Sequence, residues 1–76
     1  MAEHLYKVVE IIGSSTESFE KAAATAVETA AKHLKDLRIA EVVSLDMQVA
    51  EGKVVSYRAK VKLSFKYHPE MHDLGA

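Results

Sequence analysis

From Val55 to Tyr67 apolar and polar residues alternate without a break. Val55, Tyr57, Ala59, Val61, Leu63, Phe65 and Tyr67 fall on one side; Ser56, Arg58, Lys60, Lys62, Ser64 and Lys66 fall on the other. A sustained period of two is the pattern of a β-strand with one buried face. Running from Lys53 to Tyr67, this strand is long for a chain of 76 residues. The rest of the chain has to cover one face of it.

One segment is suited to that task. Phe19, Ala22, Ala23, Ala26, Val27, Ala30, Ala31 and Leu34 recur at spacings of three and four, a single helical stripe. The helix is expected to run to Leu34 or Lys35, with Ser15 as the N-cap candidate after a turn at Gly13-Ser14-Ser15-Thr16. Glu17 and Glu20 suit the positive end of its dipole, and Lys32 and Lys35 the negative end. Because the stripe is mostly alanine, the helix can lie very close to the sheet.

Two more segments read as strands. Leu5 to Ile12 is rich in β-branched residues and ends at Gly13. Leu5, Val9 and Ile11 point one way, and Tyr6, Val8 and Ile12 the other. A strand apolar on both faces needs cover on both, and one helix supplies only one. The other strand is Ile39 to Ala50, where the phase slips at Val42-Val43. A β-bulge there places Ile39 and Glu41 on the same face as Ser44, Asp46 and Gln48, away from the helix. Glu51-Gly52 then makes a tight hairpin into the long strand. The expected fold is α+β, in the order β-α-β-β: a three-stranded antiparallel sheet wrapped around one helix. Residues 1–67 form the domain, and residues 68–76, aperiodic after His68-Pro69, form a loose tail.

Composition says how such a chain can be stable. There is no cysteine, which excludes disulfides, thiolate metal sites and cysteine nucleophiles. The apolar residues include eleven alanines and nine valines, with no tryptophan. At about 25 cal/mol per Å² such small side chains contribute little each. Small domains in this position use metals or association, so much of the burial is expected between subunits. The formal net charge of −1 lacks the positive balance common in nucleic-acid binders. No apolar run is long enough to span a membrane, and Met1-Ala2-Glu3-His4 is not the start of a signal peptide. The expected location is the cytoplasm.

Candidate chemistry is sparse. Arg58, Lys60, Lys62 and Lys66 make a basic face that a phosphate backbone would suit, but no aromatic residue interleaves with them to stack bases. Pairing with Glu41 and Asp46 is the preferred reading, and nucleic acid is not the expected partner. His68 and His72 are four apart, with Glu70 and Asp73 nearby, but Pro69 opposes the helix that a metal site at that spacing needs. Glu10, Glu41 and Asp46 lie on strands. Repeated about an oligomer axis, they would form a ring of oxygens suited to calcium or magnesium. No serine has a base placed by a recognisable motif, and one glycine does not make a phosphate loop. The chain is expected not to be an enzyme.

Three stretches together resemble the dodecins. They are Tyr6-Lys7-Val8-Val9-Glu10-Ile11-Ile12-Gly13-Ser14-Ser15, with Ser18-Phe19 opening the helix; Leu37-Arg38-Ile39-Ala40-Glu41-Val42; and Tyr57-Arg58 followed by alternation to Phe65. The resemblance covers residues 5–67. It implies a hollow homododecamer that stores or buffers flavins between subunits without redox catalysis. It also implies that the flavin-stacking tryptophan corresponds to Ile39 and the flavin-binding glutamine to Arg58. Isoleucine has no π-face, and arginine donates hydrogen bonds without accepting any. Binding of FMN or riboflavin is therefore expected to be weak or absent. The combination fits a flavin-free branch of the family that includes a calcium-binding form. Arg58 is long enough to fill the pocket and pair with Glu41, with Glu41 and Asp46 as pocket neighbours. The resemblance assigns no particular residue as a metal ligand. A nucleic-acid or protein interaction module acting through the basic face is the alternative of a different class.

Overall fold

The long alternating strand lies at the centre of the sheet. In the computed structural model, which describes residues 4–67, the elements are β1 (Tyr6–Ser15), α1 (Phe19–Ala31), β2 (Leu37–Ala50) and β3 (Lys53–Lys66). The sheet order is β1-β3-β2, antiparallel throughout. The expected β-α-β-β fold is present.

Alternation along β3 sorts the molecule into two sides. Ala59, Val61, Leu63 and Phe65 are buried beneath the helix, which contributes Ala22 and Ala26. Val9 and Ile11 of β1 and Leu37 of β2 complete this core, joined by Ala23, Val27, Ala30 and Leu34. The alanine stripe allows the close approach. A Cβ built on Gly13 would run into the backbone carbonyl oxygen of Ala22 and lie 2.9 Å from the Cβ of Ala26. Glycine is required there for space.

The structure corrects the expected start of the helix. Gly13, Ser14 and Ser15 do not form a turn; they continue β1, opposite Ala59, Arg58 and Tyr57. Pairing with the long β3 overrides the local turn signal. Ser15 is not the cap: its Oγ accepts from the Glu17 amide at 2.9 Å, ahead of the helix. The cap is Ser18, extended at φ −167°, whose hydroxyl accepts from the Lys21 amide at 3.0 Å. The helix also stops earlier than expected, at Ala31. The amides of His33 and Leu34 close on the Ala30 carbonyl, and Asp36, at φ 61°, turns the chain into β2.

The bulge in β2 is where the phase slip put it. Val42 faces Val61 and Ser44 faces Lys60, leaving Val43 as the extra residue. Two more shifts accompany it, at Arg38 and across from Val55. Glu51 (φ 53°) and Gly52 (φ 74°) form the hairpin turn.

The helix is too short for the sheet. Thirteen helical residues span about 20 Å, whereas fourteen strand residues span about 46 Å. The far half of the hairpin therefore projects beyond α1, giving the molecule a longest dimension of 54 Å against 14 Å for the shortest. Leu45, Met47, Val49, Val54 and Val55 are exposed there.

Candidate ligand-binding face

The sheet face away from α1 carries the residues singled out in the sequence. Backbone register sets its rows. Val8, Ser64 and Ile39 form one row, and Glu10, Lys62 and Glu41 the next. Ile12, Lys60 and Ser44 follow, then Ser14, Arg58 and Asp46. Ile39 and Glu41 thus share this face with Ser44, Asp46 and Gln48, as the bulge predicts. The face mixes charges with uncovered apolar groups: Tyr6, Val8, Ile12 and Ile39 are all exposed, Ile39 at 65%.

Arg58 pairs with Asp46, one of the two carboxylates expected to meet the basic face, and not with Glu41 as the filled-pocket reading required. Its Nε donates to Oδ1 at 2.7 Å and its second guanidinium nitrogen to Oδ2 at 3.0 Å, a bidentate contact. Register is the reason: Asp46 lies directly across from Arg58, whereas Glu41 lies across from Lys62. The guanidinium holds the Asp46 carboxyl below its ordinary value, chiefly through the hydrogen bond. The carboxylate likewise raises the Arg58 guanidinium. Beside this pair, the Ser56 hydroxyl donates to Gln48 Oε1 at 2.9 Å.

Ile39 and Arg58 are not neighbours within one chain. Ile39 lies across from Ser64, six residues along β3 from Arg58, or about 20 Å. The depression beside Ile39, of about 380 Å³, is lined by Val8, Glu41, Lys62 and Ser64 without Arg58. A pocket using both positions needs two subunits.

The residues present do not fit a flavin in the manner the resemblance implies. Position 39 has no ring to stack, and the Arg58 guanidinium is engaged. The aromatic pair Phe19–Tyr57, with ring centroids 5.1 Å apart, lies at the start of the helix on the opposite side of the sheet. For a cation, Glu10, Glu41 and Asp46 share the outer face, but among the described residues no three metal-ligating side chains gather in one chain. His68, Glu70, His72 and Asp73 lie outside the described residues.

A larger groove of about 550 Å³ runs on the other side, along the β1 edge beneath α1. Val9, Ile11, Ala26, Ala30 and Leu34 line it, with His33 at its rim. No helix among the described residues is long and apolar enough to cross a membrane.

A helix laid on one face of a three-stranded sheet, with a charged and partly apolar second face left open, defines a small α+β protein of open-sheet architecture. Sequence comparison makes this specific. The Dodecin family profile matches residues 5–68, and the chain belongs to that family. The calcium dodecin of Mycobacterium tuberculosis is 45% identical over 65 residues, covering 86% of this chain and 92% of that protein. The crystal structure of that calcium-chelating antigen, described as having a novel calcium-binding site, matches with a TM-score of 0.76 at 46% identity, covering 88% and 96% of the two chains. Dodecin from Streptomyces coelicolor matches with a TM-score of 0.83 at 31% identity, covering 90% and 97%.

Proposed function

We propose that this chain is the subunit of a closed dodecin-type homododecamer. The shell is a non-enzymatic binding or storage protein that takes flavin weakly or not at all, and its ligand is a divalent cation of the calcium type. One observation carries the reading: an isoleucine and an arginine–aspartate pair occupy the positions that the family resemblance gives to the flavin-holding tryptophan and glutamine. Similarity to a calcium dodecin supports the choice of cation.

Self-association is supported by the apolar groups that one chain leaves uncovered. Both sheet faces and the projecting hairpin expose large hydrophobic side chains, more than a lone small domain usually presents. The groove along the β1 edge is lined mainly by apolar side chains and suits contact with protein. Symmetry would also supply the cation site. Exposed carboxylates such as Glu10 and Glu41, too few in one chain, become an oxygen-rich set when copies meet.

The test is a native mass spectrum with and without calcium, paired with flavin titration followed by fluorescence quenching. The expected result is a twelve-subunit ion that gains calcium mass after chelator removal and leaves riboflavin fluorescence unchanged. The Ile39→Trp/Arg58→Gln double variant, still assembled, is expected to quench riboflavin. A monomer or dimer overturns the shell. A wild-type shell that arrives loaded with flavin overturns the ligand assignment.

A further inference from the structure

The groove beside β1 has an open strand edge as one wall. β1 is an outer strand in the order β1-β3-β2, and it pairs with β3 without a register shift. The Tyr67 amide donates to the Leu5 carbonyl, so the odd-numbered residues of β1 bond to β3. The backbone groups of Val8, Glu10, Ile12 and Ser14 point the other way, where an added strand would meet them. Every second side chain of that strand would lie over the groove, on Val9, Ile11, Ala30 and Leu34.

The chain itself carries such a segment. At the opposite edge of the sheet, residues 44–48 of β2 run without a shift. Leu45 and Met47 lie across from Ala59 and Tyr57 on the α1 side and are exposed, with Val49, Val54 and Val55 beyond them. α1 of the same chain is too short to cover this strip. The groove follows residues 9–14 of β1, about 20 Å, and residues 45–49 span about 16 Å. The strip brings no charge to the groove: Asp46 is on the outer face, held by Arg58, and Glu51 and Lys53 flank the turn at the tip.

His33 is the one titratable side chain lining the groove, among the described residues. Lys32 and Lys35 flank it in sequence. On β1 the charged residue on the helix side is Lys7, which with Tyr67 lines a separate depression at the end of the sheet. β3 presents no charged residue on that side, and its Tyr57 lies against Phe19 at the other end of α1. Asp36 and Arg38 pair at 3.9 Å where the chain enters β2. Glu28 lines a different depression on α1, with Glu20 and Lys21. A proton on the imidazole would thus leave a cation beneath an apolar cover with no carboxylate in the groove to pair with.

We propose that this groove is the seat for the projecting hairpin of a second copy, and that His33 makes the contact acid-labile. The hairpin docks on the neutral imidazole and is released when it gains a proton. Histidine changes charge between about pH 5 and 8. Docking selects the neutral form, so the contact is complete at the upper end of that range and weakens toward the lower end. The interface is heterologous, hairpin to groove, and such contacts propagate until they close. This rests on the self-association proposed above.

Two variants break the two halves separately. Thr29→Lys brings a charge into the groove from an exposed helix position, and Met47→Glu/Val49→Glu charges the strip. Each alone should keep native-like circular dichroism and lose the largest species in the native mass spectrum. An equimolar mixture retains one intact hairpin and one intact groove, and should form a mixed-mass species larger than either variant gives alone. Thr29→Lys assembling like wild type, or no such mixed species, overturns the contact. Sedimentation velocity between about pH 7.5 and about pH 5.5 reads the histidine. Toward acid, the subunit concentration for half assembly should rise about tenfold in wild type and less than about twofold in His33→Gln, the factor set by a tenfold preference of the seat for neutral imidazole. His33→Leu is the second variant, should the glutamine variant not assemble. No rise in wild type, or an equal rise in the variant, overturns the role of His33. A wild-type chain that is monomeric throughout removes the shell and this contact together, whereas a wild-type shell that fails the mixing test removes this contact alone.

Discussion

Gly13→Ala tests the packing on which the fold depends. Gly13 lies mid-strand opposite Ala59, where α1 passes closest to β1. The added methyl would run into the Ala22 carbonyl oxygen and meet the Ala26 Cβ at 2.9 Å. Neither obstacle is the end of a flexible side chain. One is helix backbone, and the other belongs to a fully packed alanine. Relief requires the helix to lift, which loosens Ala22 and Ala26 from Ala59, Val61 and Leu63. Overpacking of this kind costs about 1–3 kcal/mol, a large part of what a small domain has to lose. Gly52→Ala is the matched control. Nothing lies within 4 Å of a Cβ there, and the backbone is left-handed at φ 74°, so the cost is conformational, about 1 kcal/mol. Urea unfolding at a fixed chain concentration measures both, because the proposed assembly would couple stability to concentration. Gly13→Ala within about 0.5 kcal/mol of wild type, the range of an ordinary surface substitution, would refute the argument that the helix is seated on this glycine.

Three further outcomes are expected. Ser18→Ala removes the hydroxyl that accepts from the Lys21 amide and should cost about 1 kcal/mol, whereas Ser15→Ala should cost less; the same urea unfolding distinguishes them. Asp46 should titrate below its ordinary 3.8, so its pairing with Arg58 contributes stability above the unfolded pKa and loses it as pH falls through the lower folded value. An NMR titration of the carboxyl in wild type and Arg58→Gln reads this, with the midpoint rising in the variant. Met47→Glu with Val49→Glu places charge on the projecting apolar strip; circular dichroism should stay native-like while the native mass spectrum loses its largest species.

Much of the fold is legible in the sequence because side-chain periodicity is a local property. The alternation along β3 defines its buried face, and the spacing of the alanines defines the helix. The Val42-Val43 phase slip marks a bulge that the structure contains. The assignment of Ile39 and Arg58 to pocket positions comes from the family resemblance and not from periodicity. The partner of Arg58 did not follow. Counting back from the Glu51-Gly52 turn puts Asp46 across from Tyr57, and only the extra residue at Val55 slides it to Arg58. A signal was present. Asp46, Gln48, Ser56 and Arg58 are polar at even positions on both strands, which the register of the turn cannot satisfy without an insertion.

What the sequence determined by itself, then, was the kind and order of the elements and the face that each residue occupies. Tertiary structure decided where elements end and which charges meet. β1 runs on through Gly13, Ser14 and Ser15 because a long β3 offers partners there, and pairing across a sheet outweighs a local turn preference. Arg58 meets Asp46 because the extra residue at Val55 slides the hairpin register by one, an irregularity of strand pairing that the turn between them does not carry.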